Sequence, residues 1–289
     1  MLRKELDTAR SLVPSTTNGV LPVGVGFLGW LLDKSESQAK DQISLALNNR
    51  VQAIWLSFGD RLEYWVKYIR QLNAEKGNPD ILIFILVTSA KEAEWALNVL
   101  KADVIIAQGC EAGGHGSATG TPILSLVPEV LAVVPRNGPP VLAAGGMATG
   151  AHLAASLALG ASGIVVGTRF LLAPESLYSD SQRKALIAAE SSQSVRTMAF
   201  DEARETLGWP KGIDGRGLRN DTVDDYTRGE DIAVIRAKFQ QALKTNDPSR
   251  IVVWAGSSVG LMNKVQPAKD IVSEIHQEAL DRIDYIAKL

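Results

Sequence analysis

The chain has 289 residues, 46% of them hydrophobic and 21% charged, enough for one large α/β domain with a sizeable core. A formal net charge of −2, with Lys and Arg scattered, gives no electrostatic pull toward nucleic acid or an anionic membrane. The single cysteine, Cys110, excludes an intrachain disulfide and points to a reducing compartment such as the cytoplasm. No apolar run of ~18 residues is present, so no transmembrane helix is expected.

From the start, MLRKELDTARSLV reads as an amphipathic charged segment without the apolar stretch of a secretory signal. Short apolar runs then alternate with helical stretches. Strands are expected at Val20–Phe27, Val51–Ser57, Ile81–Val87, Val104–Ala107, Pro140–Ala143 and Gly163–Val166. Helices are expected at Ser35–Asn49, Leu62–Glu75, Ala90–Leu100, Ser125–Val134 and Ala148–Leu159. Continuous apolar strands are typical of buried parallel strands, and strict alternation with helices indicates βα units. Six such units are visible, whereas a closed (β/α)8 barrel needs eight. An open doubly wound sheet is the competing architecture. Glycines at the strand ends (Gly59, Gly109, Gly145, Gly146, Gly167) favour a barrel, whose catalytic face gathers those ends.

Beyond Phe170 the alternation stops. Residues Ser176–Ala199 read as helical, GWPKGIDGRG (208–217) as a long loop, and Gly229–Lys244 as a helix. A short apolar run, IVVWAG (251–256), precedes a final amphipathic helix, Ala268–Ile286. The expected organisation is a partial barrel over 1–175, a helical subdomain with the long loop over 176–250, and a segment over 251–289 returning to the barrel. The C-terminal tripeptide Ala287-Lys288-Leu289 is close to the peroxisomal Ser-Lys-Leu address, and an ordinary helix end is the alternative.

Three segments carry chemistry. AQGCEAGGHG (107–116) follows a strand, and its glycines let backbone approach a flat ligand beside His115, the side chain best suited to exchange protons near neutrality. VLAAGGMA (141–148) runs from strand through Gly145-Gly146 into a helix, a turn whose amides suit phosphate. IVVGTRF (164–170) ends a strand on Gly167 and the Thr168 hydroxyl. The last two are the final units of the alternating pattern, where barrels often hold phosphate. Glu111 reads as a second acid or base, or more simply as a loop carboxylate bonded to amides. Cys110 reads as packing, and His152 as solvent-facing. Trp209 is placed to cover the site and Trp254 to pack beneath it.

AQGCEAGGHG, AAGGMATG and VGTRF, in this order, resemble the signature of the nitronate monooxygenase (2-nitropropane dioxygenase) family. GWPKGIDGR, VVWAG and LPVGVGFLGW resemble it too, so the likeness spans nearly the whole chain. The resemblance implies a TIM-type (β/α)8 barrel with a small helical subdomain, FMN held noncovalently and no metal. Alkyl nitronates, or neutral nitroalkanes, would be oxidised by O2 to a carbonyl compound and nitrite. It implies that His115 is catalytic. Gly145, Gly146, Gly167 and Thr168 would hold the FMN phosphate, and Gln108, Gly113 and Gly114 would lie beside the flavin. Small-molecule nitronate and O2 are then the partners, and a homo-oligomer is compatible. The EAGGH portion is shared with flavin-dependent enoyl reductases, which makes an NAD(P)H-dependent enoyl thioester reductase the alternative activity.

The sequence departs from that pattern in three places. The family's opening strand, ending in Pro-Met, and its second Gly-rich strand have no counterpart, so the first two βα units are expected to be missing. A truncated, inactive homologue with weak or no FMN binding is therefore a third reading. Leu86 stands where relatives often carry Lys or Gln, and Ser257-Ser258 where they often carry Gln.

Overall fold

The computed structural model describes residues 1–288. Leu289, the last residue of the Ala-Lys-Leu tripeptide, lies outside the described residues. The chain divides into two compact units, Met1–Ile106 with Val133–Pro140, and Ala107–Ala132 with Val141–Leu289.

The first unit contains α1 (Leu2–Leu12), β1 (Leu21–Leu28), α2 (Gly29–Lys34), α3 (Glu36–Asn48), β2 (Val51–Ser57), α4 (Leu62–Glu75), β3 (Leu82–Val87), α5 (Ala90–Asn98) and most of β4 (Val104–Gln108). Strand order follows chain order, β1-β2-β3-β4, with β1, β2 and β3 paired in parallel. Val51, Ala53, Ile54, Leu56 and Ser57 of β2 are buried, as a parallel strand covered on both faces requires. α4 buries Leu62, Trp65, Val66, Ile69 and Asn73, the three- and four-residue spacing that keeps side chains on one helix face. α5 starts on a capped end: the Ser89 hydroxyl accepts from the Glu92 amide at 3.2 Å, and the Glu92 carboxylate accepts from the Thr88 amide at 2.6 Å. On β3, the half-buried Leu86 alternates with the buried Ile85 and Val87.

The second unit holds β5 (Gly114–Ser117), α6 (Ile123–Val133), β6 (Val141–Ala144), α7 (Gly150–Ala158), β7 (Gly163–Val165), α8 (Thr168–Leu171) and α9 (Asp180–Ala188). After these come β8 (Ser194–Thr197), α10 (Ala199–Arg204), β9 (Ile213–Leu218), α11 (Asp221–Thr227), α12 (Ile232–Thr245) and α13 (Ala268–Ile286). β6 and β7 pair in parallel, and the chain leaving β4 joins β6 through the Gly109 amide and the Ala144 carbonyl at 2.9 Å. A separate antiparallel sheet has the order β5-β9-β8. One core cluster lies around Phe200, Phe239, Ile235 and Ile251, and another around Leu172, Leu186, Val253 and Ala255.

All six expected parallel strands are present, with ends shifted by no more than one residue. The segment beyond them corrects the sequence reading. Residues 176–199, expected to be one helical stretch, hold an α-helix from Asp180 to Ala188, a single 3-10 turn at Ser191–Gln193 and then β8, with α10 starting at Ala199. Ser179 caps that helix in a reciprocal box with Gln182. Beyond it, the β-branched Val195 and Thr197 suit a strand better than a helix. The expected long loop at 208–217 is half strand. Gly215 and Gly217 belong to β9, and a Cβ on Gly215 would fall 2.6 Å from the Trp254 ring. The glycines of β9 thus leave room for an indole, a packing reason that local composition does not reveal. Among the described residues, no helix is long and apolar enough to cross a membrane.

Candidate active site

His115 lies on β5, directly opposite Gly215 of β9, rather than in a free loop. Gly114 before it has φ +73°, and a Cβ there would meet nothing within 4 Å. The backbone beside the imidazole is therefore open to a ligand, and its conformation favours glycine. Gln108, at the end of β4, donates from Nε2 to the His115 carbonyl at 3.1 Å and so ties β5 back to the strand before it.

The imidazole itself is strongly constrained. Its Nε2 lies 2.9 and 3.1 Å from the two carboxylate oxygens of Asp201, which is fully buried. Trp209 stacks on the ring with centroids 3.6 Å apart and planes 10° from parallel. Trp254 meets it edge-on at 5.0 Å. Both tryptophans thus contact the histidine directly. Asp201 also accepts from the Thr206 hydroxyl at 2.7 Å and from the Trp209 indole N–H at 3.2 Å. Burial pushes its carboxyl upward, but the hydrogen bonds from His115, Thr206 and Trp209 outweigh that and hold it below the ordinary carboxylate value.

The 109–113 segment joins the remaining glycine turns. Gly145 and Gly146, at the end of β6, have φ +96° and +71°. A Cβ on Gly145 would press on the Gly109 carbonyl oxygen at 2.9 Å, and one on Gly146 on Glu111 at 3.0 Å. A Cβ on Gly113 would strike Ala255 and the Thr168 hydroxyl, each at 2.7 Å. Thr168 Oγ1 accepts from the Gly256 amide at 3.0 Å, which leaves the hydroxyl proton to be donated elsewhere. Gly167 has open space where a Cβ would stand. A cavity of about 350 Å³ opens beside Gly145, Gly146 and Ser258. Open backbone at Gly114 and Gly167, the positive-φ turn at Gly145-Gly146 and an uncommitted Thr168 proton fit a flat phosphorylated cofactor.

The neighbours of this segment are structural. Arg196 and Arg216 converge on the Cys110 carbonyl at 3.3 and 3.1 Å and fix the loop from below. Burial first, then the charge of Glu111, pushes the Cys110 thiol up, which keeps it protonated and suits packing rather than attack. Glu111 accepts from the Ile123 amide at 2.9 Å, the role of a loop carboxylate. His152 differs from the sequence expectation: it is half-buried, its Nδ1 lies 3.0 Å from the Thr149 hydroxyl at the start of α7, and burial lowers its pKa. Sequence reasoning missed Asp201, Thr206 and the two arginines, because no local motif marks residues that meet the histidine segment only through the fold.

A family model described as nitronate monooxygenase matches residues 31–278. Among curated proteins, the nitronate monooxygenase of Neurospora crassa is 34% identical over 99% of this chain and 79% of its own length. Among solved structures, FabK from Thermotoga maritima superposes with a TM-score of 0.75 at 25% identity, covering 99% of this chain and 83% of that one. Nitroalkane oxidase from Streptomyces ansochromogenes superposes with a TM-score of 0.76 at 22% identity, covering 99% and 86%, a likeness of fold. The fold is α/β, of the TIM-barrel class of these neighbours.

Proposed function

Because this chain belongs to the nitronate monooxygenase family, a family of flavoenzymes, we propose that it holds FMN and oxidises alkyl nitronates with O2 to a carbonyl compound and nitrite. The observation that carries the reading is the pairing of a constrained His115 with open glycine backbone at its side. FMN, when bound, supplies the electron chemistry between nitronate and oxygen, and the protein supplies binding and orientation. The amides of Gly145, Gly146 and Gly167, with the Thr168 hydroxyl, hold the phosphate. Gly113, Gly114 and Gln108 line the flavin. His115 faces the nitro group, where it donates a hydrogen bond to a nitronate or takes the α-proton of a neutral nitroalkane.

The test is oxygen uptake by the flavin-loaded protein with propyl-2-nitronate. Uptake with nitrite release is expected, and full FMN occupancy without turnover overturns the reading. The enoyl thioester reductase reading rests on the EAGGH segment and the likeness to FabK. It requires rapid reduction of bound flavin by NADPH in stopped flow, whereas the nitronate reading expects little. For location, an ordinary helix end and a peroxisomal address at the terminal Ala-Lys-Leu are the two readings, and imaging a chain that lacks those three residues separates them.

A further inference from the structure

We propose that Asp201 is the positioning residue for His115: it fixes the ring proton on Nε2 and leaves Nδ1 as the atom that receives a proton from substrate. The inference rests on the reading of His115 as the group that handles the substrate's proton. Both hydrogen bonds that the structure gives the imidazole run through Nε2, to Asp201 Oδ2 at 2.9 Å and Oδ1 at 3.1 Å. A carboxylate held ionised can only accept, so the shared hydrogen belongs to the ring. Stacking by Trp209 and the edge of Trp254 hold the ring plane, which opposes the flip that would put Cε1 in place of Nε2 against Asp201.

In the step this geometry serves, Nδ1 takes the α-hydrogen of a neutral nitroalkane as a proton. The C–H bond breaks, the N–H bond forms, and the electron pair moves into the C=N bond of the nitronate with charge on its oxygens. The imidazolium that results faces the Asp201 charge. A preformed nitronate needs no such step, so the two substrates separate this role from a general structural one.

The surroundings of Asp201 make an unusual substitution informative. Oδ1 already accepts from the Thr206 hydroxyl and the Trp209 indole. In Asp201→Asn the amide oxygen must take that place, since the amide nitrogen cannot accept from those donors. The NH2 group then points at His115 Nε2 and donates to it, which drives the ring proton to Nδ1 and blocks the base.

The experiment is ¹⁵N NMR of histidine-labelled protein, with His115 assigned by its disappearance in His115→Asn, alongside kinetics on nitroethane and preformed ethyl nitronate. The wild-type ring is expected as the Nε2–H tautomer and the Asp201→Asn ring as Nδ1–H. In that variant kcat on nitroethane is expected to fall by about 10²–10⁴-fold with little change in KM, while ethyl nitronate turnover stays within about tenfold. An unchanged tautomer in the variant, or equal loss on both substrates, overturns the proposal. If Asp201→Asn fails to fold, the wild-type spectrum decides alone, and an Nδ1–H ring there overturns it. The tautomer measurement does not depend on turnover, so a protein that oxidises neither substrate counts against the nitronate reading and leaves the tautomer assignment to its own test.

Discussion

His115 and Asp201 are 86 residues apart in the chain, and the fold closes that distance to 2.9 Å. The histidine was legible because glycines surround it at a strand end. The aspartate was not, because it sits in AFDEAR, where no local motif marks a residue that meets the histidine only through the fold. Its depressed pKa has a consequence for stability. A carboxyl whose folded value lies below its ordinary 3.8 stabilises the fold fully above that value, and the contribution fades as pH falls through the folded value. Urea unfolding at pH 6 and pH 3 should therefore show a smaller loss for Asp201→Asn than for wild type. Tyr178 predicts the opposite limb. Its hydroxyl accepts from the Trp254 amide at 2.8 Å, and burial pushes it up to about 12. The stabilisation it gives is complete below its ordinary value of 10.0 and is lost as pH rises toward about 12. Tyr178→Phe orphans the Trp254 amide, which should cost about 1–3 kcal/mol at neutral pH. It should also flatten the alkaline limb of a thermal-unfolding series.

At the scale of elements, the parallel strands declared themselves through continuous apolar runs such as VQAIWLS. The antiparallel trio β5-β9-β8 did not. Its strands are glycine-rich or short, and the glycines of β9 leave space filled by a tryptophan from another part of the chain. Gly215 is the most exacting position, because His115 lies across from it and the Trp254 ring fills its side-chain space. Gly215→Val should displace Trp254, destabilise the protein by about 1–3 kcal/mol through overpacking, and loosen the His115 ring. A lower urea midpoint with altered tryptophan fluorescence checks this. A variant of wild-type stability would show that β9 tolerates a side chain there.

For the whole molecule, the proposed cofactor cradle depends on backbone that only glycine adopts easily. Gly146 has φ +71°, so Gly146→Val places a β-branched residue in the left-handed region at a cost of about 1–2 kcal/mol. If this turn holds the phosphate as proposed, the substitution should also shift it and weaken FMN binding by about tenfold or more, read by flavin fluorescence titration. The glycine pairs were legible in the sequence. Their mutual support through residues 109–113 and 255–258 was not, because those segments meet only in the folded chain. The Neurospora crassa relative is covered over 79% of its own length. One spectrum tests the central claim most directly, that the proposed cradle holds FMN. The protein, incubated with FMN and passed through a desalting column, should retain the visible flavin bands at close to one flavin per chain. A colourless eluate from correctly folded protein would contradict the account.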